Sequence, residues 1–261
     1  MKKVRVEAST KKDRTSEIFG NPMSKKVIRK AQKSKQKNQK KYGDDSKVNY
    51  QCIIRDNSCI GGPLGVKNVV VTRKEGKGSF DEEKGVIVGN IRMGFGHYRI
   101  SMAIASAAHA LGYTPYWMDL NSYPETTCTK LISAQNELYS LGSRISQKSK
   151  LFNKFVWEPV NYEGFRQLSY NAADQKNAEL MAPVYHSVPK DIPVIATHVW
   201  PAQAAVHAGM KHVVNAIPDN WPMALHYAQG SLHTVQTHYA YQGYRIGNGM
   251  MKDKVVQAMP P

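Results

Sequence analysis

Cysteine is scarce: Cys52, Cys59 and Cys128 are the three among 261 residues. Their odd number and wide spacing exclude a disulfide scaffold, and without a CxxC pair they point to a reducing, cytoplasmic setting. Missing as well is any run of about 18 apolar residues, which excludes an ordinary membrane-spanning helix. The basic start Met1-Lys2-Lys3 is not followed by the apolar stretch of a signal peptide. No repeat of fixed period occurs, which argues against a solenoid or propeller. Nine histidines are present, yet no HExxH or similarly compact ligand set accompanies them, so neither a metal nor a resident cofactor is expected.

Acidic residues are outnumbered, 20 Asp/Glu against 36 Lys/Arg, for a net charge of +16. The excess is local. Residues 1–50 hold 16 Lys/Arg and 5 Asp/Glu, whereas residues 51–261 hold 20 and 15, a net of only +5. In the first segment aromatic residues are limited to Phe19, Tyr42 and Tyr50, and 25–41 is mostly Lys, Gln, Asn and Ser. Such a composition buries too little apolar area to offset its ordering entropy, so residues 1–50 are expected to be a disordered basic tail with a short helix around Ser24–Gln39. A tail of this kind solubilises, or it docks on an anionic leaflet at about 1 kcal/mol per lysine or on RNA phosphates.

The remaining 41% hydrophobic chain is sufficient for a packed core. Two β-like runs, 51–55 and 66–73, separated by Gly61-Gly62-Pro63, predict a hairpin, with 74–84 as a linker closing the 51–84 segment. From Gly85 the pattern turns regular. Residues 85–91 form a continuous apolar run suited to a strand buried on both faces. A glycine turn at 92–97 follows, then Ile100, Ile104, Ala107, Ala108 and Leu111 at helical spacing, with Gly112 as C-cap. Further strands are expected at 113–120, 192–199, 211–217 and 232–236. Helices are expected along Leu131, Ala134, Leu138, Leu141 and Ile145, and at 165–181, 202–208 and 239–246. This alternation predicts a doubly wound, mostly parallel Rossmann-like α/β sheet over 85–261.

In such sheets ligands bind beyond the carboxyl ends of the strands. Gly94-Phe95-Gly96-His97, Asp119, His198, Asp219-Asn220 and Thr237-His238 all fall there. The turn is neither GxGxxG nor a P-loop. Its value is that Gly94 and Gly96 allow positive φ and let a ligand approach backbone N–H groups at a helix N-terminus. His97 opens that helix, where the dipole favours the neutral imidazole needed by a general base; capping the helix is the plainer role for the same residue. His198 and Asp219 end successive strands and can converge on one cleft, while Trp200, Trp221, Tyr239 and Tyr241 offer aromatic surface beside it.

With its turn Gly94-Phe95-Gly96-His97, its rim Thr197-His198-Val199-Trp200-Pro201, its loop Ile217-Pro218-Asp219-Asn220 and its run Thr234-Val235-Gln236-Thr237, the chain from Gly85 to Met251 resembles a known family. It is similar to the N-terminal, acceptor-side half of GT-B glycosyltransferases of the monogalactosyldiacylglycerol synthase and MurG type. The resemblance implies that His97 deprotonates the acceptor hydroxyl and that Gly94, Phe95 and Gly96 shape the space beside it. It makes His198, Asp219, Asn220 and Trp221 substrate-side residues. Phe95, Met93 and Pro218 depart from the family pattern, which usually has a glycine, a small residue and a threonine there.

The implied function is the acceptor-binding half of an inverting, nucleotide-sugar-dependent transferase. The acceptor would be a lipid or sugar, contact with an anionic membrane would be peripheral, and no metal is required. The nucleotide sugar is a co-substrate held mainly by a second, donor-binding domain, absent here; the chain is then a truncated piece, a split gene product that needs a separate donor-binding partner, or a relict that binds acceptor without transfer, and Met250–Pro261 corresponds to the start of the linker. Alone, the chain is expected to have little or no transferase activity. The alternative is a non-catalytic Rossmann-like module docked on RNA or an anionic surface by its basic tail. RNA is the lesser expectation, because no RNP-type aromatic motif is present. An oxidoreductase domain is disfavoured, since Asp119 ends the second strand without a full GxGxxG before it.

Overall fold

The computed structural model of the chain describes residues 13–246, apart from residues 75, 77 and 78. Residues 1–12 of the expected tail and the expected linker at 250–261 lie outside the described residues. A minimal hairpin, β1 (Glu17–Ile18) and β2 (Asn21–Pro22), precedes helix α1 (Lys25–Tyr42). There follow β3 (Gln51–Asp56), the one-turn α2 (Gly61–Leu64), β4 (Lys67–Thr72), β5 (Gly85–Asn90), α3 (Gly94–Ala110), β6 (Thr114–Asp119) and α4 (Thr127–Lys148). The short α5 (Lys150–Phe152) runs into π-helical turns at Asn153–Trp157 and Val160–Gly164, and α6 is Leu168–Met181. The chain closes with β7 (Val194–Ala196), α7 (Val199–His207), β8 (Val213–Ala216), β9 (Leu232–Thr234) and α8 (His238–Ile246).

Seven strands form one sheet in the order β3-β4-β6-β5-β7-β8-β9. The pair β3–β4 is antiparallel and every other pair is parallel. From β5 the chain winds outward to β6 on one side and then crosses to β7 on the other, so the point where the winding reverses lies between β5 and β7. All six β5 residues are buried, as a strand covered on both faces requires. Alternation divides the core: Val88 and Trp117 join Val66 and Ala105 under α3. On the opposite face Ile87, Tyr116 and Met118 pack with Leu131, Ile132, Met181 and Trp200 from α4, α6 and α7. Each fully buried aliphatic side chain there stabilises the fold by about 1.5–3 kcal/mol.

Two expectations are corrected. The hairpin of residues 51–84 is no separate unit, because β4 pairs with β6 and carries β3 into the main sheet. The basic tail, where described, is ordered. Ser24 caps α1 by accepting from the Val27 N–H. Its Ala31 is buried at 1% exposure, while Lys35 reaches Glu179 and Asn38 bonds Asn177 on α6 at 3.0 Å. Composition misled because the polar residues line one side of the helix: Val27, Ile28, Ala31 and Ser34 turn inward, and Lys25, Lys26, Arg29, Lys30, Lys33, Lys37, Lys40 and Lys41 face solvent. The apolar face predicted along α4 is core at Leu131, whereas Leu138, Leu141 and Ile145 are exposed.

Candidate functional site

The glycine turn and the end of β7 meet at the reversal point of the sheet. Gly94 has φ +71° and a Cβ added at Gly94 or Gly96 would touch nothing within 4 Å, so the turn is open on its outer side. Phe95, 80% exposed, points to solvent between them. His97, in the first turn of α3, places Nδ1 2.5 Å from the carbonyl oxygen of Thr197. A carbonyl only accepts, so Nδ1 carries the hydrogen and Nε2 of the neutral ring keeps its lone pair. Burial is the largest influence on His97 and lowers its pKa; the Thr197 carbonyl and the Asp219 carboxylate pull the other way, and His226 adds to the lowering. Ser101, one turn on, bonds the Thr197 hydroxyl at 2.9 Å and ties α3 to the end of β7.

His198 meets His97 edge-on, with ring centroids 5.0 Å apart. Its Nδ1 accepts from the Trp200 N–H and so caps α7. Burial pushes its pKa well below the usual histidine value, and the neighbouring His97 and His226 lower it further. Asp219 completes the group: its Oδ2 lies 3.2 Å from Nε2 of His226. That hydrogen bond is the main reason its pKa is lowered, against the opposing effect of burial. On the far side of the His226 ring Nδ1 meets the Tyr244 hydroxyl at 2.5 Å. Three strand ends therefore bring His97, His198 and Asp219 together at the carboxyl edge of the sheet, and His226, from the turn after β8, braces Asp219.

The other two expected residues are directed elsewhere. Asn220 accepts from the Thr237 hydroxyl at 3.2 Å. Trp221, 45% exposed, lies under the Arg166 guanidinium at 5.5 Å. Sequence reasoning missed His226 and Ser101, for which no motif exists, and also Asn90 and Arg92; Thr197 stands in the rim motif without a role. Asn90 is fully buried at the end of β5, with neither amide atom hydrogen-bonded. Arg92 donates from Nε to Asp119 Oδ2 and from Nη2 to the Ser122 hydroxyl, each at 2.6 Å. Among the described residues no group of three or more His, Cys, Asp or Glu side chains is arranged to hold a metal ion. The imidazole at position 97 is thus a neutral acceptor between two helix N-termini, an arrangement suited to taking a proton from a hydroxyl.

No curated protein and no solved structure matches the chain. A family model does match, over residues 17–246, from β1 through α1 and the β3–β4 hairpin to the last residue of α8. The chain therefore belongs to the family described as Domain of unknown function (DUF6937).

Proposed function

We propose that this domain is the acceptor-binding side of an inverting glycosyltransferase, with His97 as the base that takes the proton from the acceptor hydroxyl. The observation that carries the reading is the His97 Nδ1–H bond to the Thr197 carbonyl, which fixes the ring and leaves Nε2 as the acceptor. Asp219 would steady the imidazolium formed in transfer, since its carboxylate already draws the His97 pKa upward. His198 and the Gly94–Gly96 turn flank His97, and the donor nucleotide is assigned to a second domain outside these residues. A lipid acceptor accords with the surface of α4 to the second π-turn. There Leu138, Leu141, Leu151, Phe155, Val160 and Tyr162 are exposed among Arg144, Lys148, Lys150 and Lys154, an apolar patch with a cationic border that matches an anionic leaflet. No described helix is long and apolar enough to cross a membrane.

The test is the melting temperature of the purified chain with diacylglycerol or polyprenyl lipids, UDP and UDP-sugars. Stabilisation by a hydroxyl-bearing lipid, reduced in His97→Ala, and no stabilisation by UDP are expected. Turnover of a UDP-sugar by the chain alone would refute the assignment.

A second reading, a non-catalytic module docked on a polyanion, is favoured by one observation: the solvent face of α1 carries eight Lys/Arg side chains and no acid. RNA binding that weakens steeply with salt, with no response to any lipid, would select it.

A further inference from the structure

On the α3 face of the sheet, a cleft of about 330 Å³ whose lining includes none of these histidines is formed by Asn57, Asn68, Arg92, Tyr98, Trp117 and Asp119, a volume in the range of small-ligand sites. We infer that it binds a small organic oxyanion, a carboxylate or phosphate ester, with the anionic group met by Arg92 and Asn68 and the organic part lying against Tyr98 and Trp117.

The hydrogen-bond inventory of the lining carries this. The carboxylate and amide oxygens of the lining are already engaged. Asp119 Oδ1 accepts from the Asn121 N–H, and Oδ2 accepts from Arg92 Nε and the Ser122 hydroxyl. Asn57 Oδ1 accepts from the N–H groups of Cys59 and Ile60, and Asn68 Oδ1 accepts from Asn57 Nδ2 at 2.9 Å. The donors are not engaged. Arg92 has a side chain 61% exposed, held at Nε and Nη2, with Nη1 free. The Asn68 amide nitrogen, the Trp117 indole N–H and the Tyr98 hydroxyl have no acceptor among the described residues. A lining with its carboxylate and amide oxygens used and its guanidinium, amide and indole N–H groups spare suits a ligand that mainly accepts, which describes a carboxylate or phosphate.

Two further features agree. The Asp119 carboxylate, the one anion in the lining, is matched by the Arg92 guanidinium and two further hydrogen bonds, from the Asn121 N–H and the Ser122 hydroxyl, so it does not leave net negative charge facing the ligand. Asn90 pairs in register with Asp119 and shares the sheet face of Val88 and Trp117. Its amide is wholly buried and without partners, a cost to the fold next to Asp119 in the sheet. The edge-on Tyr98–Trp117 pair, centroids 5.2 Å apart, supplies the apolar wall. This site stands apart from the role given to His97, and its test reads binding, not transfer.

The full chain is titrated with glucose 6-phosphate, citrate, inorganic phosphate and neutral glucose, following tryptophan fluorescence. A saturable change is expected with at least one anion and not with glucose, lost in Trp117→Phe. Arg92→Met and Asn68→Asp should each weaken binding by about tenfold or more, with thermal melts verifying that each variant is folded. Asn68 lies at the partly exposed lip of the cleft, so its variant reads the site even where Arg92→Met disturbs Asp119. The preferred anion separates a phosphate ester from a carboxylate. No saturable response to any anion, a response to glucose equal to that of the anions, or affinity unchanged in both variants would overturn the inference.

Discussion

At the scale of single residues, buried ionisable groups dominate what can be measured. Asp174 on α6 is buried, and burial raises its pKa to about 7 against the weaker, opposing hydrogen bond from the Trp200 indole. The folded chain therefore holds its proton over a range in which the unfolded chain, with a carboxyl near 3.8, has lost it. Stability from this group is complete below about pH 4 and is lost as pH rises to about 7. Asp174→Asn keeps an acceptor for Trp200 and removes the titration. It should raise the melting temperature, by more at pH 8 than at pH 5, with a difference in free energy of at most about 4 kcal/mol across the whole range; an equal gain at both pH values would show that Asp174 is ionised in the fold. Such a residue cannot be recognised in the sequence, where Asp174 looks like an ordinary solvent-facing helix acid. His97 could be, because a histidine after a glycine turn is placed by local geometry alone. His226 was invisible, since its role depends on Asp219 seven residues before and Tyr244 eighteen after being folded against it.

Elements were legible where one local rule governs them. The apolar run of β5, the glycine turn and the strand–helix alternation after it are dictated by near neighbours, and each strand and helix expected beyond Gly85 is present with ends displaced by a few residues. The helix expected around Ser24–Gln39 is present as α1, but its docking was missed because its order comes from α6, roughly 140 residues away. Ala31→Asp should break that contact at a cost of about 2–4 kcal/mol. Trypsin under native conditions should then cleave rapidly within α1, whereas the wild-type helix, for all its lysines, resists; rapid cleavage of the wild type would mean that α1 is not docked. The helix expected along α4 is present, but its apolar face is exposed over the second half, because helical periodicity reports an apolar face and not what covers it. If an anionic leaflet covers it, Leu151→Asp with Phe155→Asp should abolish co-sedimentation with vesicles rich in phosphatidylglycerol and leave the melting temperature within about 1–2 °C. Unchanged sedimentation would assign any membrane affinity to the cationic face of α1.

Over the whole molecule, acid sensitivity should be set by histidines held neutral. Burial lowers His207 to about 4 and His233 to about 3, and each is fitted to its neutral form, His207 beside the Gln175 amide and His233 accepting from the Ala228 N–H. The unfolded chain binds protons at both below about pH 6.5. Stability is thus complete above that value and falls as the pH drops toward 4, opposing the gain from Asp174 over the same interval. With two histidines against one aspartate, the melting temperature should fall between pH 6.5 and 4, and more steeply in Asp174→Asn; a flat profile in that variant would contradict it. The fold class was readable at this scale and the domain boundary was not, because a hairpin joins a sheet through long-range pairing that no local pattern records. The docking of α1 has one more consequence, for synthesis. The helix is made before its partner, and at about 5–20 residues per second it waits roughly 7–30 s for α6 to be translated. During that interval its apolar stripe and its row of lysines are presented together beside the ribosome, so α1 can be captured only after α6 has been made.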